Sequence, residues 1–160
     1  MTSTPHASVS ASAGRRVAGF VTLYGLGALL IYLGATHGFS GVLWRVFVLA
    51  IGVGALMMGE RMRRATSMAI LLTDEGLVTS DGTVLAARDN IAKVDRGTFA
   101  VKPSNGFSVI LKTKQPFLWA PGLYWRFGKR LGIGGVTAPA ASKYMSEMLM
   151  ASLAEEAAND

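Results

Sequence analysis

The 160-residue chain has no cysteine, so disulfides, thiolate nucleophiles and cysteine-held metals are excluded. Histidine is nearly as scarce. His6 and His37 are the only two, one near the N-terminus and one in a short turn, and neither is expected to find a partner for metal binding or proton relay. Serine and threonine therefore lack the base that a nucleophile needs. Charge is missing altogether from residues 17–36, "VAGFVTLYGLGALLIYLGAT", and is reduced to Arg45 in residues 42–58, "VLWRVFVLAIGVGALMM". Twenty helical residues span roughly 30 Å, the thickness of a hydrocarbon core, and seventeen with interfacial flanks come close.

The link between the two runs, "HGFSG", has no Lys or Arg and is too short for anything but an antiparallel return. Arg15 and Arg16 precede the first run, and Arg61, Arg63 and Arg64 follow the second. The positive-inside rule then predicts a transmembrane hairpin over 15–64, spans 17–36 and 42–58, with both chain ends in the cytoplasm. A cleaved signal peptide is the rival for the first run. That run is longer than a typical signal core, and no A-x-A-like site follows it.

The net charge of +6 and the pI near 10.0 invite a test for nucleic-acid binding. Counting excludes it: residues 65–160 carry ten Lys/Arg against nine Asp/Glu, so the surplus lies in the arginines around the two runs. Within the rest the charge is polarised, because residues 112–130 hold five cations and no acid.

Within the apolar runs, Gly27 and Gly34 are seven apart, as are Gly52 and Gly59. Two explanations stand side by side: a close helix contact, or the ordinary abundance of glycine in membrane helices. Arg45 stands four residues into the second run, close enough to its end to snorkel to the headgroups beside Trp44. Residues 1–14, "MTSTPHASVSASAG", are small, polar and aperiodic, and read as a disordered tail.

After residue 66 the texture changes to short apolar runs broken by turn signals. "MAILLT", "LVTS", "TVLAA", "IAKVDRGTFAV" and "FSVILK" are separated by "DEG", "DG", "RDN" and "KPSNG", which predicts an antiparallel meander. Val94, Phe99 and Val101, like Phe107, Val109 and Leu111, alternate with polar neighbours as half-buried strands do. "LGIGGV" follows as a last strand and turn. Thr137 and Pro139 then suggest a cap and first-turn proline for a helix with Ala141, Tyr144, Met145, Met148, Leu149 and Leu153 on its packed face. The expected class is α+β: a two-helix transmembrane hairpin, then about seven antiparallel strands capped by one amphipathic helix, over residues 67–157.

The stretch "LLTDEGLVTSDGTVLAARDNIAKVDRG" and the closing "LGIGGVTAPAASKYMSEMLMASLAE" resemble the bacterial pleckstrin-homology-like (PH-like) domain membrane proteins. The resemblance implies a partly open seven-stranded barrel or sandwich plugged by its helix, serving as a binding or assembly platform. Residues 68–87 depart from the phosphoinositide-binding members of that fold, since three acids and no base stand where those members have a basic pocket.

No catalytic residue, metal ligand or cofactor is assigned. Asp74, Glu75, Asp81 and Asp89 fall in or beside turns, where acids are favoured for backbone reasons, and together with Asp95 they make no acid–base pair. "GIGGV" lacks the full glycine fingerprint and the lysine of a phosphate loop. The stretch 114–132, "KQPFLWAPGLYWRFGKRLG", is different, for it holds five of the fourteen aromatics, four cations and no acid. Phe117, Trp119, Tyr124, Trp125 and Phe127 supply barrel wall in one interpretation. In the other, Trp125, Arg126, Lys129 and Arg130 form a lip toward an anionic leaflet, joined by Arg61, Arg63 and Arg64 in a basic collar. The expectation is a non-enzymatic bacterial inner-membrane protein whose cytoplasmic domain binds a protein or anionic lipid and no nucleic acid. The alternative is a structural subunit held in a larger complex by its hairpin.

Overall fold

The structure, a computed structural model, describes residues 5–38, 41–96 and 103–159. The order of elements is β1 (Ala7–Ser10), α1 (Ala13–Thr36), α2 (Val42–Ala65), β2 (Ala69–Thr73), β3 (Gly76–Thr79), β4 (Val84–Ala87), β5 (Ile91–Asp95), β6 (Phe107–Ala120), β7 (Tyr124–Ile133) and α3 (Pro139–Asn159). The protein is thus α+β, with two long helices, two antiparallel sheets and a C-terminal helix.

Both α1 and α2 are long and apolar enough to cross a membrane, and they pack against one another as a hairpin. The glycine spacing has a steric origin. A Cβ on Gly27 would stand 2.6 Å from Leu56 Cδ2 and 2.9 Å from the Gly52 carbonyl, and one on Gly34 would stand 2.6 Å from Leu49 Cδ2. Gly52 and Gly59 are buried on the facing helix. Arg45 turns inward to α1, donating through Nε to Gly34 O at 2.9 Å and through Nη2 to Ala35 O at 3.1 Å. Those carbonyls belong to the last helical turn and lack intrahelical partners, so a cation there satisfies both hydrogen bonding and the helix dipole.

The tail expectation is corrected over residues 7–14. β1 pairs antiparallel with β2, Val9 opposite Ile70 and Ala7 opposite Leu72, and Val9 is fully buried. Its alternation of Ala7 and Val9 inward with Ser8 and Ser10 outward is too short and too weakly apolar to stand alone; it forms because the edge of β2 offers a ladder. α1 accordingly begins at Ala13 rather than 17. α2 runs on to Ala65, where Thr66 Oγ1 bonds back to Met62 O and the chain turns into β2.

The sheets are ordered β1-β2-β3-β4 and β5-β6-β7. The turn signals do what their chemistry predicts: Asp74 and Glu75 connect β2 to β3, and Gly82 and Asn105 take positive φ at 89° and 56°. Among the described residues no ladder joins β4 to β5 or β1 to β7, so the strands form two sheets rather than one ring. Phe99 and Val101, expected on a strand, lie outside the described residues. Both sheets contribute to one core, with Ile70, Leu77, Leu85, Phe107, Val109 and Leu131 buried, and α3 inserts Met145 and Leu149 into it. Tyr144 is corrected: it is exposed, and the buried face of α3 is formed by Ser142, Met145, Ser146 and Leu149, with Ala141 and Met148 partly buried at its sides. Thr137 is buried and bonds Asn105 O and Ser142 Oγ instead of a backbone N–H of the first turn.

Candidate functional site

The aromatic stretch is one long hairpin. β6 and β7 pair from Phe107 opposite Ile133 to Ala120 opposite Tyr124, and register shifts between Ile110 and Gln115 and between Gln115 and Leu118 bend it. β5 pairs with β6 only as far as Leu111. Pro116, which has no N–H to give, therefore lies where β6 has lost its second neighbour.

The aromatics sort by face. Phe117, Trp119 and Phe127 point outward at 64%, 47% and 70% exposure, and the Phe117 and Phe127 rings meet edge-on with centroids 6.4 Å apart. Leu118, Tyr124 and Arg126 point inward. Trp125 is half-buried, its indole filling the space that a Cβ on Gly132 would need, so it is wall rather than lip. Leu118 alternating with Phe117 and Trp119 was the signal in the sequence for the outward trio.

Of the expected basic collar, some members are brought together and others are not. Arg61 and Arg64, at the end of α2, line a cleft of about 330 Å³ with Met68, Trp119, Pro121 and Tyr124. Lys129 and Arg130 are exposed further along β7. Arg63 and Arg64 both bond Glu60, at 2.8 and 2.6 Å, and Tyr24 on α1 donates to the same carboxylate at 2.8 Å. Their charge is partly neutralised, and of the three arginines that close α2 only Arg61 has no acidic partner among the described residues.

Arg126 is removed from the lip. It is only 6% exposed, donating through Nε to Pro116 O at 3.0 Å and through Nη1 to Val84 O at 3.2 Å and Leu85 O at 2.7 Å. These acceptors exist because β4 is a sheet edge and β6 is bent at Pro116, and two of them lie more than forty residues away in sequence. Burial pushes the guanidinium pKa down, yet the group remains a cation at any physiological pH.

A second polar cluster joins the two ends of the described chain. His6 Nε2 lies 2.7 Å from Asp74 Oδ1, and Arg88 Nε lies 2.7 Å from Glu156 Oε1, across a groove of about 420 Å³ floored by Leu72 and Met148. His6, expected to stand alone, thus has a partner because β1 carries it beside the β2–β3 turn. No group of three His, Asp or Glu side chains able to hold a metal occurs among the described residues. Comparison of the chain with protein-family models, with curated proteins and with solved structures finds no match.

Proposed function

We propose that the chain is a non-enzymatic integral protein of a bacterial inner membrane, with both ends in the cytoplasm, whose PH-like head serves as a binding or assembly platform for a protein or an anionic lipid. The observation that carries this is the cleft in which Arg61 and Arg64 meet Trp119 and Tyr124. It lies where the second long apolar helix ends. Beside it Phe117, Trp119 and Phe127 remain outside the core, and Lys129 and Arg130 are exposed on the same hairpin. Aromatic rings settle at headgroup level, and each Lys or Arg near an anionic leaflet contributes about 1 kcal/mol. The orientation rests on the five arginines at the open end of the hairpin, against none in its turn. Among the described residues, 67–157 hold six antiparallel strands and a closing helix, with a seventh strand, β1, ahead of the hairpin, and this strand-rich head with its terminal helix supports the PH-like reading.

The absence of cysteine makes the test direct. A nitroxide on Phe117→Cys in the full chain, reconstituted in nanodiscs with and without phosphatidylglycerol, should become shielded from aqueous relaxation agents when the anionic lipid is present. Arg61→Glu with Lys129→Glu should reverse that shielding. A label equally exposed to water in both lipids, in a protein that also brings down no partner through its head, defeats the proposal.

The rival is an accessory subunit held through its hairpin. One observation favours it: a Cβ on Gly25 or on Gly54 would meet nothing within 4 Å among the described residues, which leaves small-residue spots on the outer helix faces. Gly25→Leu with Gly54→Leu should then strip away partner subunits while head docking continues.

A further inference from the structure

Between β4 and the bend of β6 lies a cavity of about 530 Å³ whose walls include Lys112, Thr113, Gln115, Asp89 and Arg126. We infer that this cavity is a binding site for a small, singly charged oxyanion, anchored by Nη2 of Arg126. It uses none of the exposed aromatics and stands independently of the membrane-docking proposal.

Three observations converge on it. Arg126 is more than nine-tenths buried, yet no carboxylate among the described residues pairs with it; each of its acceptors is a backbone carbonyl. A buried cation met only by neutral dipoles keeps most of its charge uncompensated, and such a charge is costly unless something supplies the missing anion. Secondly, the guanidinium is only partly used. Nε and Nη1 take the three carbonyls, and Nη2 has no acceptor among the described residues and is not sealed from solvent, while the side chain lines the cavity. Two N–H bonds are therefore free to point at a ligand from a fixed position, since the other nitrogens hold the plane of the group.

Thirdly, the neighbours are chosen for an anion of low charge. Lys112 adds a second cation, and Asp89 subtracts one, which leaves the cavity close to a single positive charge. The Thr113 hydroxyl and backbone N–H both bond Asn90 Oδ1, at 2.8 and 2.9 Å, and Gln115 Nε2 donates to Thr113 Oγ1 at 3.2 Å, so the wall beside Arg126 is held rigid by its own hydrogen bonds. A carboxylate and a phosphodiester share this chemistry: one charge, and oxygens able to accept from Nη2 and from Nζ of Lys112.

The test titrates the full chain in maltoside micelles with dimethyl phosphate and, separately, with acetate, at constant ionic strength set by chloride. Nitrogen–proton correlation spectra are recorded on the Thr113 and Gln115 amides and the Arg126 Nε–H. A saturable shift of these signals is expected with at least one anion, and the anion that binds more tightly names the source, a phosphodiester or a carboxyl group. Lys112→Ala should weaken that binding about five- to tenfold, and Asp89→Asn should strengthen it by a similar factor, as removal of one charge at a few ångströms from a partly buried anion requires. Both residues are exposed on the surface of the head, so neither variant depends on the core for its folding. Arg126→Gln, if folded, should lose the saturable shift. Absence of saturation with both anions, or affinities unmoved by both Lys112→Ala and Asp89→Asn, overturns the inference.

Discussion

The Arg126 guanidinium donates to the Leu85 carbonyl at 2.7 Å, so a cation on β7 ties down the outer edge of β4, where no strand among the described residues pairs with it. The two sheets are thereby joined by a side chain at a place where backbone ladders do not join them.

Replacing that side chain should loosen the head. Arg126→Met keeps much of the length and loses three donors, leaving carbonyls of Pro116, Val84 and Leu85 without partners, at a cost of about 1–3 kcal/mol for buried groups so stranded. Arg126→Lys should recover little, because one ammonium does not span the acceptors that a planar fork reaches. Thermal unfolding of the purified full chain, followed by near-ultraviolet circular dichroism, measures both.

The hairpin should tolerate no side chain at its crossing points. Gly27→Val sets new carbons against Leu56 and the Gly52 carbonyl, and overpacking of this kind costs about 1–3 kcal/mol or forces the helices apart. Gly25→Val, facing open space, is the matched control. Cysteine pairs introduced across α1 and α2 should crosslink in the control and fail in Gly27→Val.

β1 should behave as part of the head. Val9→Asp puts a charge into a fully buried site and is expected to cost several kcal/mol, enough to unpair β1 from β2. Hydrogen exchange at the amides of Ile70 and Leu72 would then rise by orders of magnitude. For the same reason a fragment starting near residue 67 is a poor stand-in for the intact head, since it lacks the strand that covers Ile70.

Acid should act weakly through the β3–β4 turn. The Thr79 hydroxyl, then the Thr83 backbone N–H, bonds to Asp81 and holds its carboxyl below the usual aspartate range. A carboxyl depressed in the folded state stabilises fully above its unfolded value of about 4 and loses that contribution as pH falls through the lower folded value. Asp81 is exposed, so the contribution stays below about 1 kcal/mol. Asp81→Asn should lower the unfolding midpoint slightly at pH 7, with the gap from the parent narrowing below about pH 4.

What the sequence disclosed follows from the range of the forces involved. Hydrocarbon-length runs, Asp-Gly and Asn-Gly turns, and the 3.6-residue face of α3 are local patterns, and each corresponds to an element in the structure. β1 was hidden because "ASVS" has almost no propensity of its own and depends on β2, sixty residues on. Arg126 looked like a surface cation because the acceptors that bury it are backbone carbonyls, which every sequence has and none advertises. Its neighbour Trp125 looked like a lip residue for a related reason: only the bend of the hairpin brings Gly132 beneath the indole. Tyr144 satisfied the helical spacing and still lies outside, because the face of α3 turned to the core includes Ser142 and Ser146, which an apolar pattern does not mark.

The chain passes from β1 into α1 and returns from α2 into β2, and β1 and β2 are adjacent strands of one ladder. The two rods are consequently clamped side by side into the same plate rather than hung from it by a tether. Any tilt or twist of the rods is delivered to the head as torque, and any load that grips the head is felt by both rods at once.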